Sequence, residues 1–462
     1  MKYISTRGQA PELTFEEAML TGLARDGGLY LPAEIPTMSQ DEITALAGLP
    51  YEEIAFRVMW PYVSGSFAED EFKAIIARAY EGFGHDARAP LKQLNENHFL
   101  LELFHGPTLA FKDFAMQLIG QLFQVALKRR GDRVTIVGAT SGDTGSAAIE
   151  AFRGLDAVDV FILFPHGRVS EVQRRQMTTP ADSNVHALAV DGDFDDCQAA
   201  LKDMFNDFDF RDRVKLAGVN SINFARVLAQ IVYYFSAAVS LGAPHRKVSF
   251  TVPTGNFGDI FAGYLAKRMG LPIDRLVVAT NQNDILHRCL SGEGYFKGDT
   301  IPSISPSMDI QVSSNFERAL YYAYGEDGGA VAQLMDELKN GGFNVSQGAM
   351  EALRESFDSG RVSEDETLAT IKHTLDHSAE LVCPHTAVGI NVAEQQRAWD
   401  VPMITLATAH PAKFPAAVEK ASEVHPPLPS RMSDLYERPE RVTRIANDLG
   451  ALEDHIRRHI AE

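Results

Sequence analysis

Short apolar runs rich in β-branched residues recur along most of the chain and predict the strands of a sheet. Most runs are followed by a turn and then by a helical stretch, which is typical of parallel strands joined by crossover helices. The runs occupy residues 98–104, 133–140, 159–165, 184–190, 247–254, 275–281 and 402–409. This alternation predicts an α/β fold whose largely parallel sheet is covered on both faces, with functional loops at the carboxyl ends of the strands.

The N-terminal part of the chain has a different, helical pattern. Ser39 with Glu42, and Ser66 with Glu69, have the spacing of a capping box, and periodic apolar positions follow each pair. Farther along, residues 291–378 are less regular and rich in glycine and serine, which indicates surface loops. The predicted division is therefore a helical N-terminal domain at 1–92 and a catalytic region at 93–462, which includes a smaller α/β subdomain at about 133–225.

The segment HGPTLAFKDFAMQLIGQLFQVALKRRG, residues 105–131, predicts a largely buried helix with two adjacent apolar stripes. Lys112 heads one stripe, while Asp113 and several glutamines supply the polar side. Burial and the positive end of the helix dipole both penalise an ammonium group there, so the pKa of Lys112 is expected to fall. A neutral buried amine is what Schiff-base chemistry requires. The alternative is a lysine that extends to solvent, as most lysines at helix ends do.

One strand-to-helix turn has the composition of a phosphate cradle. The segment TVPTGNFGDIFAG passes from a predicted strand into a helix through Gly255, Asn256, Phe257, Gly258 and Asp259. Small residues let backbone N–H groups approach an anion, and the helix N-terminus adds positive potential.

A second turn, in IVGATSGDTGSAA, presents Ser141, Gly142, Asp143 and Thr144 at another predicted helix start. Its hydroxyl and amide groups suit a carboxylate or a phosphate. Neither turn has the G-x-G-x-x-G spacing or the P-loop lysine of nucleotide-binding sites. Glycine turns between strand and helix also occur without any ligand, and that reading stays open for each turn alone.

Composition narrows the functional classes. The chain has 462 residues and a formal net charge of -19, and 45% of its residues are hydrophobic. This charge argues against nucleic acid or an anionic membrane as a partner, although a small anionic substrate remains possible. Three cysteines without paired spacing suit a reducing compartment, and no apolar run reaches the length of a membrane span. We expect a cytoplasmic protein that is a monomer or a homodimer.

A metal site is a weaker reading of the sequence. His373 and His377 are four residues apart on a predicted helix, and Cys383 and His385 follow. Their spacing matches none of the common zinc patterns, and no paired cysteines exist. We therefore predict no metal ion.

Several motifs together resemble the threonine synthases of bacteria and fungi. The motifs, in chain order, are YISTRG, DGGLYLP, GPTLAFKDFAMQ, TSGDTGSAA, PTGNFGD, PHTAVG and HPAKFP. The resemblance covers roughly residues 3–420. It implies the tryptophan synthase β-like fold, fold type II of the pyridoxal-phosphate enzymes, and conversion of O-phospho-L-homoserine and water into L-threonine and phosphate.

The resemblance also implies roles for individual residues around the cofactor. Lys112 would form the Schiff base with pyridoxal 5'-phosphate and then act as the acid–base group. The turn at 255–259 would bind the cofactor phosphate, with Asp259 acting through its backbone N–H because two anions repel each other. The hydroxyl of Thr408 would meet the pyridine nitrogen, which it would leave mostly uncharged.

Other residues match the substrate side of the family pattern. The turn at 141–144 would receive the substrate carboxylate, and Asp143 stands where members of the wider fold family often have asparagine. The motif NSINFAR supplies Ser221, Asn223 and Arg226, of which Arg226 could contact the substrate phosphate through two hydrogen bonds. Arg226 is equally compatible with a structural ion pair.

Two other functions compete with this one. A phospho-lyase with the same cofactor would release a 2-oxo acid and phosphate, and the sequence does not separate the two outcomes. A non-catalytic α/β ligand-binding protein would be colourless and would leave Lys112 unexplained. The missing fingerprints disfavour a nucleotide-dependent enzyme.

Overall fold

The apolar runs form strands in the computed structural model, which describes residues 1–218, 220–396 and 400–460. The strands are β1 Tyr3–Ser5, β2 Tyr30–Pro32, β3 Leu91–Asn95, β4 His98–Glu102, β5 Val134–Ala139, β6 Val158–Pro165, β7 Val185–Asp191, β8 Leu216–Ala217, β9 Val248–Pro253, β10 Ile273–Thr280, β11 Tyr295–Phe296, β12 Gly342–Phe343, β13 Phe357–Arg361, β14 Met403–Ala407 and β15 Thr443–Ala446. Strands β4, β5, β6, β7, β9, β10 and β14 correspond to the seven predicted runs, so these predictions are confirmed.

Helices connect and cover these strands. The helices are α1 Phe15–Thr21, α2 Gln40–Thr44, α3 Tyr51–Val63, α4 Glu69–Tyr80, α5 Lys112–Arg130, α6 Asp143–Phe152, α7 Glu171–Thr178, α8 Phe194–Asn206, α9 Phe208–Val214, α10 Phe224–Ser240, α11 Gly258–Arg268, α12 Ile285–Arg288, α13 Phe316–Ala323, α14 Gly328–Lys339, α15 Gln347–Arg354, α16 Glu364–Ser378, α17 Pro384–Gln396, α18 Pro415–Ser422 and α19 Leu449–His459. Among the described residues, no helix is both long enough and apolar enough to cross a membrane.

Two sheets form the framework of the α/β part. The larger has the strand order β13-β10-β9-β14-β4-β3 and is parallel except for the β3–β4 pair. The smaller has the order β15-β7-β6-β5-β8 and is parallel throughout. The predicted α/β class is confirmed, and the carboxyl ends of β5, β9 and β14 supply the loops of the site described below.

The N-terminal segment contains four helices and the antiparallel pair β1–β2, which the sequence pattern did not predict. The capping box of Ser39 and Glu42 is present at the start of α2. The one predicted at Ser66 and Glu69 is wrong, because α4 begins at Glu69 after Ala68 and the Ser66 hydroxyl instead accepts the Glu16 N–H at 3.3 Å. Helices α3 and α4 pack against α10 and α5, so their apolar side chains join one core.

Helix α5 is buried along both predicted stripes, and Lys112 is its first residue. The placement of Asp113 on the water-facing side is wrong. Its carboxylate is buried and accepts hydrogen bonds from the Thr108 backbone N–H at 2.8 Å and from the Thr108 hydroxyl at 2.6 Å. Asp113 thus holds the loop that leads into Lys112.

The segment at 291–378 is more ordered than its composition indicated. It contributes helices α13 to α16 and the edge strand β13. Strand β13 pairs with β10 in parallel, from Leu276 opposite Phe357 to Thr280 opposite Arg361. The same segment supplies Ser307, which reaches the site described next.

Candidate active site

A cavity of about 820 Å³ lies at the carboxyl ends of β5, β9 and β14. The first turns of six helices, α5, α6, α8, α10, α11 and α17, contribute side chains or backbone to its wall. Helix N-termini carry partial positive charge and unpaired N–H groups, so their convergence favours an anionic ligand. The cavity therefore suits a small molecule that carries several negative groups.

Lys112 is buried in this cavity rather than extended into solvent. Its Nζ lies 3.3 Å from Asp143 Oδ2 and 3.3 Å from Ser307 Oγ. Burial lowers the pKa of Lys112, and although Asp143 acts in the opposite direction, Lys413 and Arg226 lower it further. The amine thus has the lowered basicity that the sequence predicted, which suits nucleophilic and acid–base chemistry.

Asp143, the first residue of α6, accepts hydrogen bonds at both carboxylate oxygens. Oδ1 accepts a hydrogen bond from Gln173 Nε2 at 3.0 Å and forms an ion pair with Lys413 Nζ, also at 3.0 Å. Oδ2 accepts from Ser307 Oγ at 2.9 Å as well as from Lys112. Burial opposes ionisation of this carboxyl, but the charges of Lys112 and Lys413 outweigh burial and hold its pKa well below the ordinary value. The side chain of Asp143 is therefore an ionised bridge between two lysines.

The backbone around Asp143 forms the first anion cradle. Gly142 has φ 136°, and a Cβ there would lie 2.3 Å from Gln173 Cδ, so glycine is required. Among the described residues, the backbone N–H groups of Ser141, Asp143 and Thr144 donate to no protein acceptor. These groups line the cavity and are suitably placed for a carboxylate.

The turn between β9 and α11 forms the second anion cradle. Phe257 adopts the left-handed conformation with φ 63°, which turns the backbone into the helix. In the described part of the chain, the N–H groups of residues 255–259 have no protein acceptor. A Cβ at Gly255 would lie 2.6 Å from the backbone oxygen of Ser307, so only glycine fits this wall. A row of free amides at a helix N-terminus fits a phosphate group.

Asp259 belongs to this turn, but its side chain is engaged with α10. Oδ1 accepts hydrogen bonds from the Tyr233 hydroxyl and, at 3.1 Å, from the Tyr234 hydroxyl. Burial raises the pKa of Asp259 to about 7, against the effect of the two tyrosines. The side chain of Asp259 is thus engaged with α10, and its backbone N–H is the group that remains for an anion.

Most of the other predicted residues line the cavity, but one does not. Thr408, directly after β14, and Ser221 and Arg226 are all part of the wall. Asn223 caps α10 instead: its Oδ1 accepts the Ala225 N–H at 3.1 Å, and its Nδ2 donates to the Met19 backbone oxygen at 2.7 Å. The prediction that Asn223 meets the substrate is therefore not supported by its position.

Arg226 is buried, and burial lowers its pKa to about 10. An arginine with this pKa still carries its positive charge at neutral pH. It gives the cavity wall a fixed cation on the first turn of α10.

Sequence reasoning missed several residues of the site. Ser307 lies in the segment predicted to be loops, and no sequence motif marked Gln173 as a site residue. Lys413 and His385 lie within the motifs HPAKFP and PHTAVG, which could have identified them. His385 is buried, and its Nε2 accepts the Ser307 backbone N–H at 3.2 Å. Burial lowers the pKa of His385 to about 4, so the ring is neutral near pH 7.

The possible metal ligands of the sequence are not brought together. His373 and His377 stack on the exposed face of α16 with ring centroids 3.9 Å apart, whereas His385 lies in the cavity. Over residues 1–218, 220–396 and 400–460, no cluster of three or more histidine, cysteine, aspartate or glutamate residues is arranged to hold a metal ion.

Family comparisons agree along nearly the whole chain. Residues 2–80 match the family described as threonine synthase N terminus, residues 85–402 match the pyridoxal-phosphate dependent enzymes, and residues 386–456 match the threonine synthase C-terminal family. The threonine synthase of Pseudomonas aeruginosa is 56% identical, covering 99% of this chain and 98% of that protein. That of Schizosaccharomyces pombe is 46% identical, covering 91% and 89%.

Solved structures give the same relationship. A pyridoxal-phosphate-bound threonine synthase from Brucella melitensis superimposes with a TM-score of 0.98, at 56% identity and 99% coverage of both chains. Yeast threonine synthase superimposes with a TM-score of 0.94, at 41% identity and 99% and 98% coverage. The predicted fold type II and its cofactor, pyridoxal 5'-phosphate, are thereby confirmed. The chain belongs to the threonine synthase family of pyridoxal-phosphate-dependent enzymes.

Proposed function

We propose that this chain converts O-phospho-L-homoserine and water into L-threonine and inorganic phosphate. The observation that carries the proposal is the content of one cavity: a buried lysine of lowered pKa, two backbone anion cradles and a buried arginine. Cofactor and substrate together carry two phosphates and a carboxylate. The number and the sign of the groups in the cavity thus match those of the proposed ligands.

The cofactor fits one side of the cavity. The free amides at 255–259 would hold its phosphate, Lys112 would bind its aldehyde carbon, and the Thr408 hydroxyl would meet its ring nitrogen. When bound, pyridoxal phosphate withdraws electrons from the Cα of an attached amino acid, which makes the proton on that carbon removable.

Lys112 carries the proton transfers in this proposal. A lysine amine of lowered pKa takes the proton from Cα and releases it to solvent before it takes one from Cβ, which it delivers to Cγ. The proton left by the attacking water returns through the amine to Cα, and the released phosphate takes up the first one. Asp143 Oδ2 and Ser307 Oγ, both 3.3 Å from Nζ, orient the amine toward these atoms. The phosphate leaves from Cγ, and the oxygen of water bonds to Cβ. One water molecule is thus consumed for each phosphate released.

The substrate takes the other side of the cavity. The free N–H groups in the turn at 141–144 would bind its carboxylate. Arg226, with the nearby hydroxyl of Ser221, would bind its phosphate, because a guanidinium donates two parallel hydrogen bonds to such a group. Asn223 has no part in this assignment, since it caps α10.

An isotope experiment tests this function. In water labelled with oxygen-18, the account expects the label in the threonine hydroxyl and none in the released phosphate, because the bond from Cγ to oxygen breaks. Labelled phosphate would instead indicate hydrolysis of the ester at phosphorus. Labelled phosphate without threonine would overturn the proposal.

Replacing Gly255 with alanine should weaken cofactor binding. The new Cβ would lie 2.6 Å from the Ser307 backbone oxygen, so one wall of the phosphate cradle must shift. We expect the dissociation constant of pyridoxal phosphate to increase by about tenfold or more, since the loss of two neutral hydrogen bonds costs about 1–3 kcal/mol. Equilibrium dialysis measures it. Gly131→Ala, at a helix end with open space around it, is the matched control and should bind normally.

Replacing Arg226 with alanine should reduce kcat/KM for O-phospho-L-homoserine by about 10²-fold or more, because a charge-assisted bidentate contact is lost. The affinity for the cofactor should change by less than about twofold, which corresponds to about 0.4 kcal/mol. Arg226→Lys should recover part of the loss. Equal losses of cofactor and substrate affinity would contradict the assignment.

The state of the cysteines bears on the cellular compartment of the enzyme. The three cysteines are free and buried, as in a reducing compartment, and we propose the cytoplasm.

We also propose a division of the chain into two parts. Residues 1–92 act as a domain that covers α5 and α10, and the rest forms the catalytic region with its subdomain at about 133–225. We propose that the chain is a monomer or a homodimer. No role for nucleic acid or a membrane surface enters the proposal.

A further inference from the structure

A second lysine lies on the far side of Asp143 from Lys112. Lys413, at the end of a short 3₁₀ turn, is 0% exposed. Its Nζ lies 3.0 Å from Asp143 Oδ1, 2.8 Å from the Thr108 backbone oxygen and 3.5 Å from Ser146 Oγ. The contacts to Thr108 and Ser146 are hydrogen bonds, and the contact to Asp143 is an ion pair. A buried charge is tolerated only when it is paired and hydrogen-bonded, and these contacts provide both for the ammonium group of Lys413.

The two lysines share the carboxylate of Asp143. Lys112 approaches Asp143 at 3.3 Å, and its other contact, to Ser307, is also 3.3 Å. The contacts of Lys413 to Asp143 and Thr108 are shorter, at 3.0 and 2.8 Å. One carboxylate balances one ammonium, and the shorter contacts make Lys413 the closer partner of Asp143.

We infer that Lys413 is a positioning residue whose lasting ion pair with Asp143 releases Lys112 from serving as the counter-ion of that carboxylate. This inference rests on the role proposed for Lys112 as the cofactor-binding amine. Asp143 then stays ionised and in place when Lys112 is neutral, so the carboxylate keeps accepting a hydrogen bond from the neutral amine.

The other charged and titratable groups around the pair support this assignment. Lys112 is also influenced by Arg226, which disfavours a proton on the amine. His385 lies close enough to influence both Asp143 and Lys112, but burial lowers its pKa to about 4, so it is neutral near pH 7. Asp113 interacts with Lys413 but is itself engaged with Thr108. Among the groups that influence Lys112, Asp143 is the one that favours its proton, and Lys413 offsets that effect.

The test follows cofactor capture by the full-length chain after the cofactor has been removed. The rate at which the chain forms its visible absorbance with added pyridoxal phosphate is measured across pH, and each variant is compared with the natural chain. Lys413→Met should move the midpoint of this pH profile upward by about 1 pH unit or more, because Lys112 becomes the lysine that alone balances Asp143. Asp143→Asn should move it downward. Lys413→Arg keeps the charge and should restore the natural midpoint.

A purely structural role for Lys413 predicts a different result. In that case Lys413→Met would lower the melting temperature without moving the midpoint, and that outcome would overturn the inference. Ser146→Ala removes a contact of Lys413 without changing any charge, so its midpoint should be unchanged. If Lys413→Met does not fold, Asp143→Asn decides: a midpoint that fails to move downward would also overturn the inference.

The same experiment separates this inference from the proposed function. Lys112→Ala should form no Schiff base with pyridoxal phosphate that borohydride can reduce to a stable covalent adduct, at any pH. If it still forms such an adduct, the role of Lys112 is wrong, whatever the Lys413 variants do. If it does not, but the Lys413→Met midpoint stays in place, the ion-pair inference alone fails.

Discussion

Lys112→Ala should lower turnover of O-phospho-L-homoserine by at least about 10³-fold, since a positioned acid–base group contributes about 10²–10⁴ and the covalent cofactor bond is lost as well. The neighbouring Lys413 should not take over the role of Lys112, because its own amine is held by Asp143, Thr108 and Ser146. Steady-state assay of released phosphate, with saturating pyridoxal phosphate, measures the loss.

Lys112→Arg is the matched control for this variant. It keeps a positive charge beside Asp143, so the fold should survive, but a guanidinium does not give up its proton near pH 7. We expect both variants to stop exchange of the Cα proton with deuterium from solvent. Rapid exchange in Lys112→Ala would mean that another group is the base.

Asp143→Ala should lower the free energy of unfolding by about 3–5 kcal/mol near pH 7, because removing one partner leaves a buried ammonium uncompensated. Both oxygens of Asp143 are engaged, and Lys413 has no exposed surface through which water could solvate it. Urea denaturation of the cofactor-free chain measures the difference. A loss below about 1 kcal/mol, typical of an exposed ion pair, would contradict the described geometry.

The pH dependence gives this prediction a sign. The folded-state pKa of Asp143 lies well below its ordinary value, so its stabilisation is present above the unfolded pKa, near about 4, and is lost as pH falls toward the folded pKa. Asp113 is the matched control, because burial raises its pKa to about 6. Its ionisation costs stability as pH rises from about 4 to about 6, a cost that Asp113→Asn should remove.

Much of the fold could be predicted because buried parallel strands are nearly continuous apolar runs. The run at 159–165, for example, is buried along its whole length in β6. Strand β13 escaped prediction because an edge strand with the sequence FDSGR lacks that pattern. The helices of 316–378 were missed since glycine and serine beside them mark turns, not the absence of helices.

The site was predictable only where its chemistry is local. Lys112 breaks an apolar helix stripe, and each anion cradle is a short glycine turn. Ser307, by contrast, lies 195 positions from Lys112 along the chain and is brought to it by folding alone. Asn223 was misassigned because the same side chain suits a helix cap and a ligand, and the sequence does not distinguish those uses.

The products formed from O-phospho-L-homoserine distinguish a threonine synthase from a phospho-lyase. The purified chain with pyridoxal phosphate is incubated with this substrate, and threonine, 2-oxobutyrate and phosphate are quantified beside a Lys112→Ala control. The account predicts one threonine for each phosphate, no 2-oxobutyrate, and loss of both products in the control. Phosphate released together with 2-oxobutyrate, in place of threonine, would contradict it.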